Sequence, residues 1–158
     1  MDVHEKVENF SLQNQDGETV QLNDFAGKPI VLFFYPKADT PGCTIEACGF
    51  RDVFSELEDA GAVVLGISRD TPKAQKKFQE KYNLSYPLLA DVDEEVCRQF
   101  DVLREKNMYG KKVIGIERTT FLIGPDLRVV KIFPKVKPEG HAEEVLSAIR
   151  DYAKDHSA

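Results

Sequence analysis

Two of the three cysteines in this 158-residue chain, Cys43 and Cys48, directly follow a segment punctuated by proline and glycine, Pro36-Lys37-Ala38-Asp39-Thr40-Pro41-Gly42. The reactive form of cysteine is the thiolate, so its surroundings decide whether it does chemistry. A strand that ends in this loop and then opens a helix delivers Cys43 to the helix N-terminus, where unpaired N–H groups and the helix dipole favour an anion. Thr40 adds a hydroxyl that accepts one hydrogen bond and donates another, which an aliphatic side chain cannot do. The pattern points to a nucleophilic thiol.

The elements that must position this corner follow from hydrophobic periodicity. Val7–Leu12 alternates, Asp16-Gly17 supplies a turn, and Thr19–Leu22 alternates again, which predicts an N-terminal β-hairpin with half-exposed strands. Ile30-Val31-Leu32-Phe33-Phe34-Tyr35 is unbroken and apolar or aromatic, the pattern of a central strand covered on both faces. From Cys43, the residues Ala47, Phe50, Val53, Phe54 and Leu57 recur at helical steps, predicting one helix that Gly61 ends. Ala62–Ile67 is a second buried strand, parallel to the first across a right-handed crossover.

Thr71-Pro72 opens a further helix to about Tyr82, with Phe78 and Tyr82 on its inner face. Leu88–Ala90 reads as a short strand, and Asp93–Phe100 as a short helix with Val96, Cys97 and Phe100 inward. Val102–Lys112 is polar and irregular, a surface loop. Val113–Ile116 and Thr119–Ile123 are strand material, and Gly124-Pro125-Asp126 turns the chain into a partner strand, Leu127–Phe133. Glu143–Tyr152 is an amphipathic closing helix, followed by a tail, Lys154–Ala158, expected to fray. This order predicts a single α/β domain over residues 1–158, a central mixed β-sheet flanked by helices on the thioredoxin-like plan, with an N-terminal β-hairpin extension.

Composition narrows the function classes. A formal net charge of −6, with 21 basic residues scattered among 27 acidic ones, argues against a nucleic-acid surface. Lys76-Lys77, Lys111-Lys112 and Lys135-Val136-Lys137 read as solvated faces. No apolar run approaches a membrane span, and Met1-Asp2-Val3-His4-Glu5 lacks the features of a signal peptide, so the expected location is cytoplasmic. Three cysteines do not make a disulfide framework. His4, His141 and His156 have no metal-ligand spacing with them. Cys97 reads as core packing.

Pro36-x-x-x-Thr40-x-x-Cys43 resembles the active-site motif of the peroxiredoxins, and the second cysteine within Cys43-Thr44-Ile45-Glu46-Ala47-Cys48 resembles the bacterioferritin comigratory protein or PrxQ subfamily, of atypical two-cysteine type. The resemblance extends from Phe10-Ser11-Leu12 through Phe33–Pro36 and Gly49-Phe50-Arg51-Asp52 to Glu117–Ile123 and Gly140-His141. One departure is the absence of Trp, which many relatives carry around Leu103.

The resemblance implies a thiol-dependent peroxidase for hydrogen peroxide and organic hydroperoxides, with no metal and no bound organic cofactor. Cys43 is then the peroxidatic thiolate and Thr40 its hydroxyl partner. Arg118 is the cation that stabilises thiolate and developing oxyanion, and Pro36 the shield against water. Glu46 either orients Arg118 or merely favours the helix N-terminus.

Cys48 is the implied resolver, forming an intramolecular disulfide that thioredoxin or glutaredoxin reduces. Five residues on an intact helix separate two Cα atoms by roughly 8.5 Å, more than the about 7 Å a disulfide tolerates. The segment from Cys43 to about Phe50 is therefore expected to unwind during the cycle. Because the resolver lies in the same chain, a monomer is expected. The alternatives are a thiol-disulfide oxidoreductase, disfavoured because such enzymes usually pair cysteines as C-x-x-C, and a redox-switched binding or chaperone module.

Overall fold

The run Ile30–Phe34 forms a strand, β3, with every side chain buried and a strand on either side, as an unbroken apolar run requires. In the computed structural model, which describes residues 1–156, the chain begins with β1 (Ser11–Asn14), β2 (Thr19–Gln21) and a 3-10 turn over Leu22–Phe25. After β3 come α1 (Pro41–Asp52), α2 (Phe54–Asp59), β4 (Val63–Ser68), α3 (Pro72–Tyr82), β5 (Leu88–Ala90) and α4 (Glu95–Gln99). The last part holds β6 (Leu103–Met108), β7 (Lys111–Ile116), β8 (Thr119–Ile123), β9 (Val129–Phe133) and α5 (His141–His156).

Seven strands make one mixed sheet in the order β2-β1-β5-β4-β3-β8-β9. β4 holds the middle place, with β3 parallel beside it and Leu32 opposite Leu65. β8 pairs antiparallel on the other side of β3, with Leu32 opposite Phe121. The strand-helix-strand unit and the β8–β9 hairpin form as the periodicity predicts. The half-exposed N-terminal hairpin forms too, but its first strand is Ser11–Asn14 rather than Val7–Leu12, because the Val7 N–H bonds the Leu127 carbonyl outside the hairpin. Because side chains alternate across a strand, β3 feeds two cores. Val31, Phe33 and the following Tyr35 pack in the layer of α1, α2, α3 and α5. Ile30, Leu32 and Phe34 face the layer of Phe10, α4, Phe100 and Phe121. The result is the mixed sheet flanked by helices of the thioredoxin-like plan.

Several boundaries differ from expectation. The helix predicted from Cys43 through Leu57 begins at Pro41 and is two helices, because Val53 adopts φ −108° and ψ 10°. That break redirects the chain, so that α2 packs on β4 and α5 while Val53 and Leu57 stay buried. Gly61, at φ +81°, follows the end of α2. β9 starts at Val129 rather than Leu127, since Leu127 takes φ +63° within the turn. α5 extends beyond Glu143–Tyr152 at both ends and is still helical at Lys154, where fraying is expected; Ser157 and Ala158 lie outside the described residues.

The polar stretch Val102–Lys112 is not an irregular loop. It holds β6 and the start of β7, an antiparallel hairpin separate from the main sheet. Tyr109 and Gly110 both take positive φ, +55° and +77°, as a two-residue hairpin turn of matching twist demands. Hydrophobic alternation misses this arm because Arg104–Asn107 and Lys111–Ile114 are all exposed, which leaves no buried face to impose a period of two.

Candidate active site

Cys43 is the third residue of α1, behind the N-cap Thr40 and Pro41 at the first helical position. The Thr44 N–H closes the first turn on the Thr40 carbonyl at 2.8 Å. An N-cap threonine ordinarily accepts from one of the first N–H groups of its helix. Thr40 makes no such bond; its hydroxyl donates to the Lys37 carbonyl at 2.8 Å. The early N–H groups of Gly42 and Cys43, which lack helical partners by construction, are thus left to the site. With its proton committed to Lys37, the Thr40 oxygen presents lone pairs and serves as an acceptor.

Arg118 lies in the short connection between β7 and β8. Its Nη2 is 3.5 Å from Cys43 Sγ, and its Nη1 is 2.9 Å from Glu46 Oε1. Cys43 and Glu46 are each 1% exposed, and the Arg118 side chain 14%. Burial works against the Arg118 charge, but Glu46 and Cys43 outweigh it and hold the guanidinium above its ordinary range. Burial pushes the Glu46 carboxyl up to about 7, with Arg118 pulling in the other direction. Glu46 Oε2 is, among the described residues, the only buried side-chain oxygen or nitrogen without a hydrogen-bond partner. The ion pair favours orientation of Arg118 over a mere helix-end preference for Glu46. Gly42 makes room: a Cβ there would lie 3.0 Å from Arg118 Nη2.

The loop before α1 is tied down at consecutive residues. Pro36 is half-buried where it follows Tyr35. The Ala38 N–H donates to Asp70 Oδ2 at 2.7 Å, and the Ser68 hydroxyl donates to the same oxygen at 2.6 Å. Gln75, fully buried on α3, donates to Ser68 Oγ at 2.9 Å and accepts from the Tyr35 hydroxyl. Asp39, at φ +61°, accepts from the Tyr82 hydroxyl at 2.7 Å and pairs with Lys81 at 2.9 Å. The Lys81 and Tyr82 hydrogen bonds hold the Asp39 carboxyl below its usual range. No sequence signal singles out Asp70 or Gln75, because the partners that tie them to this loop, Ala38 and Tyr35, are distant in the chain.

Cys48 sits on α1 with Cys43, half-buried, and all three cysteines are free thiols. Burial pushes the Cys48 thiol up, with Arg51 opposing. Cys97 lies in the other core layer, where burial and then Asp91 push its thiol up, and its N–H donates to Asp91 Oδ2 at 2.7 Å. His141 belongs to the wall beneath α1: Nε2 meets Thr120 Oγ1 at 2.8 Å, Nδ1 meets Glu144 at 3.2 Å, and Phe50 stands edge-on at 5.8 Å. The structure thus brings Cys43 and Arg118 into contact, places Thr40 at the cap of the same helix, and leaves Cys48 and Cys97 apart from that contact.

Residues 3–132 match the model of the AhpC/TSA family. Peroxiredoxin Bcp of Xanthomonas campestris is 49% identical over 138 residues, covering 87% of this chain and 86% of that protein. The bacterioferritin comigratory protein of the same species, solved in work on its alkyl peroxide reduction activity, superposes with a TM-score of 0.88 at 46% identity, over 91% of this chain and 92% of that one. The crystal structure of a cysteine-to-serine variant of Xylella fastidiosa PrxQ gives a TM-score of 0.93 at 40% identity, over 97% and 98%. With the thiol, the cation and the helix terminus in this arrangement, the chain belongs to the AhpC/TSA family as a peroxiredoxin of the Bcp and PrxQ group, an enzyme that reduces peroxides with a cysteine thiol and is restored by a thiol reductant.

Proposed function

We propose that this peroxiredoxin reduces hydrogen peroxide and organic hydroperoxides through Cys43, with Cys48 as resolver and thioredoxin, or glutaredoxin, as reductant. It acts as a monomer of one domain, residues 1–158, in the cytoplasm, a compartment whose thiol pools keep such a pair recyclable. The observation that carries the reading is the guanidinium of Arg118 3.5 Å from Cys43 Sγ at the start of α1. The alkyl peroxide reduction activity of the Xanthomonas relative supports organic substrates.

In the first step the Cys43 thiolate attacks the terminal peroxide oxygen. The S–O bond forms as the O–O bond breaks, and the departing oxygen takes up a proton to leave as water or an alcohol. Thr40 accepts from the peroxide O–H, which its own commitment to Lys37 favours. Negative charge moves from sulfur to the far oxygen, and Arg118 together with the Gly42 and Cys43 N–H groups stabilises it along that path. Pro36, at the mouth of the loop, keeps water from the sulfur. Cys43 is then a sulfenic acid, which condenses with the Cys48 thiol: the S–S bond forms, the S–O bond breaks, and hydroxyl and thiol proton leave as water. The disulfide passes to an external dithiol through a mixed disulfide.

The test is NADPH consumption coupled through thioredoxin reductase and thioredoxin. Cys43→Ser abolishes turnover, Cys48→Ser stops the cycle after one sulfenic acid, and Cys97→Ser turns over as the parent does. Turnover that survives Cys43→Ser overturns the reading. A stable dimer in sedimentation overturns the monomer alone.

A further inference from the structure

α1 carries both Cys43 and Cys48, and a role for its unwinding rests on their being the attacking and resolving thiols proposed for this enzyme. An intact helix keeps Cα atoms five residues apart at roughly 8.5 Å, so the disulfide forms only after α1 unwinds. While it stays wound, the sulfenic acid is exposed to a second peroxide, which adds an oxygen to give sulfinic acid and releases water or alcohol. The contacts that hold α1 down therefore divide Cys43 between a recoverable fate and an irreversible one.

Arg118 of the reacting centre holds Glu46 of α1 at 2.9 Å, and outside that centre one contact ties the same segment to the sheet. The Tyr86 hydroxyl donates to the Ala47 carbonyl at 2.6 Å, and both residues are 0% exposed. Ala47 lies between the two cysteines, inside the segment that must unwind. Tyr86 does not belong to that segment; it stands just before β5 of the main sheet, with its ring edge-on to Phe33 of β3 at 5.8 Å. The bond is therefore a tie from the stationary sheet to the interior of the mobile helix, additional to the helix's own ladder. The Phe50 ring, stacked on Phe33 at 4.7 Å, is held by the same cluster but without direction. Arg51 reaches the Tyr82 carbonyl at 2.8 Å, in a partly exposed position near the far end of α1.

We propose that Tyr86 is the positioning residue that latches α1, and that its hydroxyl sets the partition of Cys43 sulfenic acid between disulfide and sulfinic acid. Tyr86→Phe keeps the ring and removes only the latch. The wound state then loses one net hydrogen bond, and the unwound population rises about fivefold. Sulfenic acid formation, followed by stopped flow with hydrogen peroxide, stays within about twofold of the parent, since Tyr86 touches neither Cys43 nor Arg118. Disulfide formation accelerates about fivefold, and the peroxide concentration that gives half sulfinic acid by intact-mass spectrometry rises by about the same factor.

Val96→Ala, which opens the other core layer, controls for general loosening and leaves both quantities unchanged. If the parent forms the Cys43–Cys48 disulfide but Tyr86→Phe changes neither its rate nor the sulfinic threshold, the latch is overturned and the assignment of the thiols stands. Equal acceleration by Val96→Ala also overturns the latch. Failure of the parent to form that disulfide overturns the assignment and the latch together.

Discussion

The Arg118 guanidinium serves two partners at once, Cys43 through Nη2 and Glu46 through Nη1. Removing it strips the reacting centre of its fixed positive charge: Arg118→Met is expected to slow sulfenic acid formation by about 10²-fold in stopped flow, in line with the loss of one preorganised donor. Arg118→Lys recovers little of this, because one ammonium cannot reproduce a planar fork that bridges both partners. Glu46 makes a second, separable prediction. Its carboxyl titrates at about 7 when folded, against an ordinary 4.5. A group raised in the folded state stabilises it fully below the unfolded value and loses that contribution as pH climbs through the folded one. Stability against urea should therefore fall between about pH 4.5 and 7, and Glu46→Gln, in a Cys43→Ser background that removes the thiol titration, should flatten that slope. Equal slopes in the two proteins would contradict a buried, titrating Glu46.

At the scale of elements, the loop before α1 depends on an anchor it does not contain. Asp70 Oδ2 accepts from both the Ala38 N–H and the Ser68 hydroxyl. Asp70→Asn weakens that double acceptor, and a loosened loop misplaces Thr40. The expectation is about a tenfold loss in kcat/KM for peroxide, with reduction of the preformed disulfide by thioredoxin unchanged. The sequence makes β3, α1 and the Cys43 corner legible because a long apolar run and a Pro/Gly-punctuated loop are local signals. Arg118 becomes legible only through family resemblance, since nothing in Glu117-Arg118-Thr119 says which helix it meets. Asp70 and Tyr86 stay hidden because their partners, Ala38 and Ala47, are backbone groups more than thirty residues away in sequence. The β6–β7 arm stays hidden for the opposite reason: its turn chemistry is local, but an arm with exposed faces carries no hydrophobic period.

Across the whole molecule, the sheet divides chemistry from ballast. α1, Tyr86 and the aromatic cluster around Phe33 occupy one layer, while Cys97 lies in the other. Phe33→Ala should cost ~3–5 kcal/mol of stability by calorimetry or denaturant titration, as loss of a fully buried ring does. Cys97→Ala should cost only about 1 kcal/mol and leave turnover intact.

The same division bears on timing. Arg118 belongs to the stationary part: its carbonyl accepts from the Val136 N–H at 2.9 Å, and it immediately precedes β8. Cys43 rides on α1, the part that moves in the proposed cycle. In that cycle the sulfur departs as α1 unwinds and its counter-charge stays behind, so the proposal leaves a freshly reduced Cys43 without an activated form until the helix closes again. On that proposal the enzyme works as a turnstile, in which peroxide and reductant each find a shape that excludes the other and cannot be served in the same instant.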